Sequence, residues 1–359
     1  MWYFFPGFIA GAMAALFLFS PAPAVEICPE WWGGLKNLSA IEKSPGGTPK
    51  ASFFVRAGDR DYFLLKGDGG VSVSGSVTDG LAAFSGNGLF YARYQKVGND
   101  VEFFNAKGDR FWKIDSMEYP YLSFGGKVVL LMNGDQSGIR MVDYNGNLAN
   151  IRISGRTCTA IAFSDAGDYS AVGFLDGSYY FLSPKGTMIH YGMTPKGTMV
   201  KGLAVNRDGS HGAVHYGNTE TDRVRVVAIA SDDYDEVDLA HAHPVKTSLH
   251  VNGGGYCTII DTDRVLYISP SGSVKLNIPV PAKREGHSSI SCSGALYAVS
   301  YTMRTGPSRL LLFRDDGVML FTKDFPGESF LDASLREGLL FLRGSDSVFC
   351  YSLHGIQTP

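Results

Sequence analysis

The sequence predicts an all-β fold, a closed β-propeller of four-stranded antiparallel blades, on two observations. A strand motif recurs seven times at intervals of 39 to 46 residues, and a hairpin signal recurs eight times in step with it. Four short strands per unit at this period is the signature of propeller blades. No sustained 3.6-residue periodicity supports a helical solenoid instead.

The strand motif reads Ala82-Ala83-Phe84-Ser85 in its first copy. It returns as Leu122-Ser123-Phe124-Gly125, Ile161-Ala162-Phe163-Ser164, Leu203-Ala204-Val205-Asn206, Leu249-His250-Val251-Asn252, Ile290-Ser291-Cys292-Ser293 and Leu331-Asp332-Ala333-Ser334. Its first and third positions are apolar throughout, so they share one face of a strand. The fourth is Ser, Gly or Asn, which suits the start of a turn.

The hairpin signal is a short apolar run, polar turn residues and a Gly, as in Phe103-Phe104-Asn105-Ala106-Lys107-Gly108 and Phe181-Leu182-Ser183-Pro184-Lys185-Gly186. It marks the turn between the third and fourth strands of a blade. The copy at Val227 to Asp233 lacks the Gly. Two further copies, Leu64 to Gly69 and Cys350 to Gly355, bring the hairpins to eight against seven first strands. Only four residues follow Gly355, too few for an outer strand. The segment Glu26 to Lys43 is therefore expected to supply both missing strands and close the ring. Eight blades leave fewer residues unused than the rival count of seven.

Residues 1–24 read as a secretory signal, with an apolar run from Phe8 to Phe19 and small residues at Ala22-Pro23-Ala24 before the cleavage point. The alternative is a retained membrane anchor, since about 20 apolar residues can cross a bilayer. No Lys or Arg precedes the apolar run. Both readings place residues 25–50, the closing segment, and 51–359, the propeller, outside the cytoplasm, in the periplasm or at the cell surface. With 32 Lys and Arg against 35 Asp and Glu, the net charge of −3 argues against a general nucleic-acid binder.

On these repeats the chain resembles the bacterial WD40-like and quinoprotein-like β-propellers across roughly residues 51 to 355. The resemblance implies architecture only. The Gly-His and Trp-Asp pairs of WD40 units do not recur, only Trp112 occupies the place of the quinoprotein Trp, and the sialidase Asp-box is absent.

Candidate site residues follow from departures in the repeat. His250 and Asp332 occupy the second column, where other copies carry mostly small residues. First strands surround the central channel, so these two are channel candidates. The loops between second and third strands are long and polar, and place Asp135, Gln136, Asn218, Glu220, Asp222 and Arg304 on one face as contacts for a protein partner. No cofactor is predicted outright. His241 and His243 would share one face of an extended segment as a zinc or copper pair, with His250 nearby. The acidic run Asp232 to Glu236 would be the place for calcium, or else a solvated loop. Five cysteines in an exported chain suggest a Cys28–Cys350 bridge tying the N-terminus to the last blade. The repeat columns instead make Cys292 and Cys350 small buried core residues. No Gly-x-Ser-x-Gly nucleophile elbow occurs, and no catalytic triad can be nominated from the residues. Two function classes follow: a non-enzymatic interaction or assembly module, and a propeller enzyme with a central-funnel site such as a metal-assisted hydrolase.

Overall fold

The middle strands of the repeats are rich in apolar residues, and in Val128-Val129-Leu130-Leu131-Met132 the run is unbroken, with all five side chains buried. An alternating strand has one dry face, and an unbroken run has two. Each sheet must therefore be covered on both sides, which is what stacking blades around a ring achieves.

The computed structural model describes residues 26–35, 38, 42–43, 52–57, 60–165, 168–243, 247–280, 284–303 and 306–354. They form 32 strands in eight sheets. The first described strands are β1 (Glu26–Gly34) and β2 (Glu42–Lys43). Blade 1 holds β3 (Ser52–Ala57), β4 (Asp61–Lys66) and β5 (Val71–Ser76). Blade 2 holds β6 (Leu81–Phe84), β7 (Phe90–Tyr94), β8 (Asp100–Asn105) and β9 (Arg110–Asp115). Blade 3 holds β10 (Tyr119–Leu122), β11 (Val128–Met132), β12 (Gly138–Asp143) and β13 (Leu148–Ser154). Blade 4 holds β14 (Cys158–Phe163), β15 (Ser170–Phe174), β16 (Ser178–Leu182) and β17 (Met188–Met193). Blade 5 holds β18 (Met199–Val205), β19 (His211–Gly217), β20 (Asp222–Ala228) and β21 (Asp233–Asp238). Blade 6 holds β22 (Leu249–Val251), β23 (Cys257–Ile260), β24 (Arg264–Ile268) and β25 (Val274–Pro279). Blade 7 holds β26 (Arg284–Ser293), β27 (Leu296–Met303), β28 (Ser308–Arg314) and β29 (Met319–Phe325). Blade 8 holds β30 (Leu331–Arg336), β31 (Leu339–Gly344) and β32 (Ser347–His354).

The core is divided between the blades. Each of eight apolar clusters lies between two neighbouring sheets, and together they run around the ring. Alternate residues of one strand serve different neighbours: Val129 and Leu131 pack toward blade 2, Val128, Leu130 and Met132 toward blade 4.

Closure comes from the N-terminus. β1 runs antiparallel to β32, with Glu26 opposite His354 and Gly34 opposite Ser347, and becomes the fourth strand of blade 8. Trp31 of β1 packs with Phe53, Val55 and Leu65 of blade 1 and with Phe341 of blade 8. Its indole N–H donates to the Gly67 carbonyl at 2.7 Å. The expectation that Glu26 to Lys43 supplies both missing strands needs correction. β2 pairs with β1 as a fifth strand of blade 8, and blade 1 has three strands among the described residues. The Cys350 copy is not a hairpin either, because β32 runs on to His354 and takes its outer neighbour from the other end of the chain.

Three more expectations change. All five cysteines are free thiols. Cys28 stands opposite Ser352 and Cys350 opposite Trp31, so the proposed bridge does not form. Cys350 is instead buried between blades 8 and 1, the core role that its repeat column gives it. The acidic run is not a loop, since Asp233 to Glu236 lie in β21, the outer strand of blade 5. In the second copy of the strand motif, β10 ends at Leu122 and Phe124 falls in the turn.

The tight turns explain their glycines. Gly146 and Gly186 have φ of 86° and 72°, and a Cβ there would meet Trp112 at 2.9 Å and Ala149 at 2.4 Å in the preceding blade. Both conditions exclude most other residues. Where the motif lacks Gly, Asp232 takes the left-handed conformation at φ 62°, as Asp tolerates better than branched residues do.

Candidate functional site

Because consecutive strands of each blade are antiparallel neighbours, the second-to-third loops and the inter-blade connections share one end of the ring. The tight first-to-second and third-to-fourth turns occupy the other. The loop end holds Asp135, Gln136 and Glu220, all exposed, and Asn218, half-buried. Arg304 lies outside the described residues.

Asp222 departs from its expected place. It begins β20 and is fully buried, at the centre of a polar network between blades 5 and 6. Lys201, on β18, donates to Asp222 Oδ1 at 2.6 Å, to the Asn218 carbonyl at 2.7 Å and to the His243 carbonyl at 2.8 Å. All three ammonium protons are thereby used. His215 Nε2, on β19, lies 2.8 Å from Asp222 Oδ2, which also accepts the His243 backbone N–H at 2.8 Å. An ionised carboxylate only accepts, so the His215 proton sits on Nε2. Its Nδ1 is buried without a hydrogen-bond partner. The His243 ring Nε2 lies 2.7 Å from Asp261 Oδ1, just after β23. The His215 and His243 rings stand nearly perpendicular with centroids 5.1 Å apart. A cleft of about 320 Å³, lined by Pro195, Thr198, Tyr216, Thr221, Asp222 and Leu239, opens beside the network.

The charges follow from these contacts. Burial alone would raise the Asp222 carboxyl, but the hydrogen bonds from His215, Lys201 and the His243 N–H outweigh it and hold it below the usual carboxylate range. Asp261 is likewise lowered, burial being outweighed by bonds from His243 and the Thr262 N–H. Burial pushes His215 down, against the opposing pull of Asp222.

The expected His241–His243 pair is not brought together as a site. His243 is buried in the network, while His241 is half exposed beside Asp263 at 3.7 Å. The signal that reveals the network in sequence is Lys201 itself, a cation in the apolar strand Met199-Val200-Lys201-Gly202-Leu203. Such a group requires buried partners, but the sequence does not say which.

His250 and Asp332 lie on β22 and β30, the first strands of blades 6 and 8. His250 Nε2 is 2.8 Å from Asp165 Oδ2 in the turn after β14, so the contact joins blades two apart. Asp332 bonds to the His287 ring and lies 3.5 Å from Arg343. Sequence reading missed Arg336 at the tight-turn end. Its guanidinium donates to the carbonyls of Ser52 at 2.8 Å and Gly86 at 3.3 Å, and stands 4.9 Å above the Phe124 ring. One side chain of blade 8 thus touches blades 1, 2 and 3.

Burial also pushes His250 down, against the charge of Asp165. His215 and His250 thus protonate less readily in the folded chain than in the unfolded one. Their contribution to stability is full above the ordinary histidine value near 6.5 and falls as pH drops through it. Acidification from pH 7.5 to 5.5 is expected to cost up to about 1.4 kcal/mol per histidine, measured by urea denaturation. A His250→Asn variant should lose part of this dependence; an unchanged slope would rule out the His250 share.

The eight sheets define an eight-bladed β-propeller. Among solved structures it is similar to BamB from Moraxella catarrhalis, with TM-score 0.59, 12% identity, and 85% of this chain and 96% of that one covered. It is also similar to a chain of the mitotic checkpoint complex, with TM-score 0.52, 12% identity, and 87% and 95% covered. No protein-family model matches the chain, and no curated protein matches it in sequence. At this identity the likeness is one of fold.

Proposed function

We propose that this is an exported, non-enzymatic propeller that binds a protein partner through its loop-rich end, as an interaction or assembly module of the periplasm or cell surface. The observation that carries it is a pair of side chains. Val97 and Met117, 92% and 77% exposed, are the two most exposed large apolar residues among those described. Both lie at the loop end, Val97 between β7 and β8 and Met117 between β9 and β10. Their loops are tied together: the Ser116 N–H donates to the Asn99 carbonyl at 2.8 Å, and the Tyr119 hydroxyl to the Lys96 carbonyl at 3.0 Å. Beside Met117 a cleft of about 440 Å³ is lined by Asp115, Glu118, Arg140 and Arg152. Held apolar groups rimmed by charge, with Met and Arg among them, are the make-up of protein interfaces. Export rests on the apolar stretch and small-residue pattern of residues 1–24.

The double variant Val97→Asp, Met117→Asp should abolish recovery of a specific partner by cross-linking in the native envelope, while stability changes by about 0.5 kcal/mol or less. Val318→Asp, at a tight turn of the opposite end, should leave recovery intact. Equal recovery from all three proteins would refute the assignment of this face.

A further inference from the structure

We propose that His215, Asp222 and His243 form a binding site for a divalent transition-metal ion, with zinc as the fitting probe, between blades 5 and 6. One nitrogen or oxygen of each of the three residues lies within 4.8 Å of the others, and all three residues are buried. Two imidazoles and a carboxylate are a zinc donor set.

Charge points the same way. Asp222 and Asp261 are both buried carboxylates, and the buried Lys201 ammonium contacts Asp222, while Asp261 pairs with the His243 ring. One ammonium balances one carboxylate, which leaves a negative surplus in a dry site, a condition that favours a further cation. The surrounding bonds are also those of a metal site. The His243 ring pairs with the Asp261 carboxylate, and Asp222 is oriented by Lys201, so a ligand imidazole and a ligand carboxylate each have an orienting partner. His215 has an unpartnered buried ring nitrogen. The cleft lined by Asp222 gives an approach from the loop end. Binding through the His215 Nε2 that now faces Asp222 shifts the ring proton to the unpartnered Nδ1, so the ligand stays a neutral imidazole. The exposed His241 takes no part.

The test uses the full mature chain, stripped with chelator, loaded with zinc and dialysed. About one zinc per chain should remain by elemental analysis, and its removal should lower the melting temperature. His243→Gln and His215→Gln should each lose the ion, and His241→Gln should keep it. A folded wild-type chain that retains no zinc overturns the proposal, as does zinc that survives both ligand substitutions. Should the ligand variants fail to fold, cobalt added to the wild type decides. Visible bands of four-coordinate cobalt support the site, and a spectrum of aqueous cobalt overturns it.

Discussion

Deleting residues 26–35 is expected to abolish the folded monomer rather than loosen one blade. β1 is the fourth strand of blade 8 and carries Trp31 into the seam with blade 1. Its loss uncovers the edge of β32 along the rungs from Ser347 to His354, and exposed edges pair between molecules. It also removes an indole that packs at 6.3 Å from Phe341 and bonds to Gly67. In an open repeat array a terminal loss stays local, but in a ring every blade has two neighbours. The milder Trp31→Ala variant should cost about 3–5 kcal/mol, as large-to-small core changes do. For a chain of this size that is roughly 5 °C in melting temperature. Circular dichroism melts and gel filtration check both variants. A deletion that elutes as a stable monomer with near-normal melting would show that closure is not what holds the ring.

The second large effect is at Asp222. Asp222→Ala should destabilise the protein by about 3–5 kcal/mol, because it removes one carboxylate and strands three donors. These are the Lys201 ammonium, the His215 Nε2–H and the His243 backbone N–H. Lys201 keeps two carbonyls, but its charge has lost its partner. Replacing both ends, Lys201→Met with Asp222→Leu, should recover much of the loss, since apolar pairs of similar size can match a buried ion pair. Urea denaturation of the two single variants and the double variant measures the coupling. Additive losses would mean that the two groups do not interact.

The contrast between the two sites shows what a sequence can carry. The blades were legible because the repeat is a local pattern. Apolar positions two apart make one strand face, and the Gly turns mark the hairpins. Cys350 was legible as core for the same reason. Its repeat column is an apolar one, and it is buried against Trp31 and Phe341. Asp222 was not, because Asn218 to Asp222 has the composition of a surface loop. What buries its last residue is Lys201 from the preceding hairpin, with His243 from the next inter-blade connection. His243 itself was legible as a candidate ligand, but with the wrong companion. In an extended segment His241 shares its face, whereas the fold turns His243 inward to Asp261 and leaves His241 in solvent.

By itself, then, the sequence determined the all-β class, the propeller period and the need for the N-terminal segment to complete the last blade. Each is set by periodicity and chain arithmetic, which need no knowledge of distant neighbours. Only the tertiary structure decided that β1 joins blade 8 while β2 extends the same sheet, that Cys28 and Cys350 stay apart, and that Lys201, His215, Asp222, His243 and Asp261 meet. Those outcomes depend on register and on contacts between blades, where one residue of offset moves a side chain to the other face of its sheet.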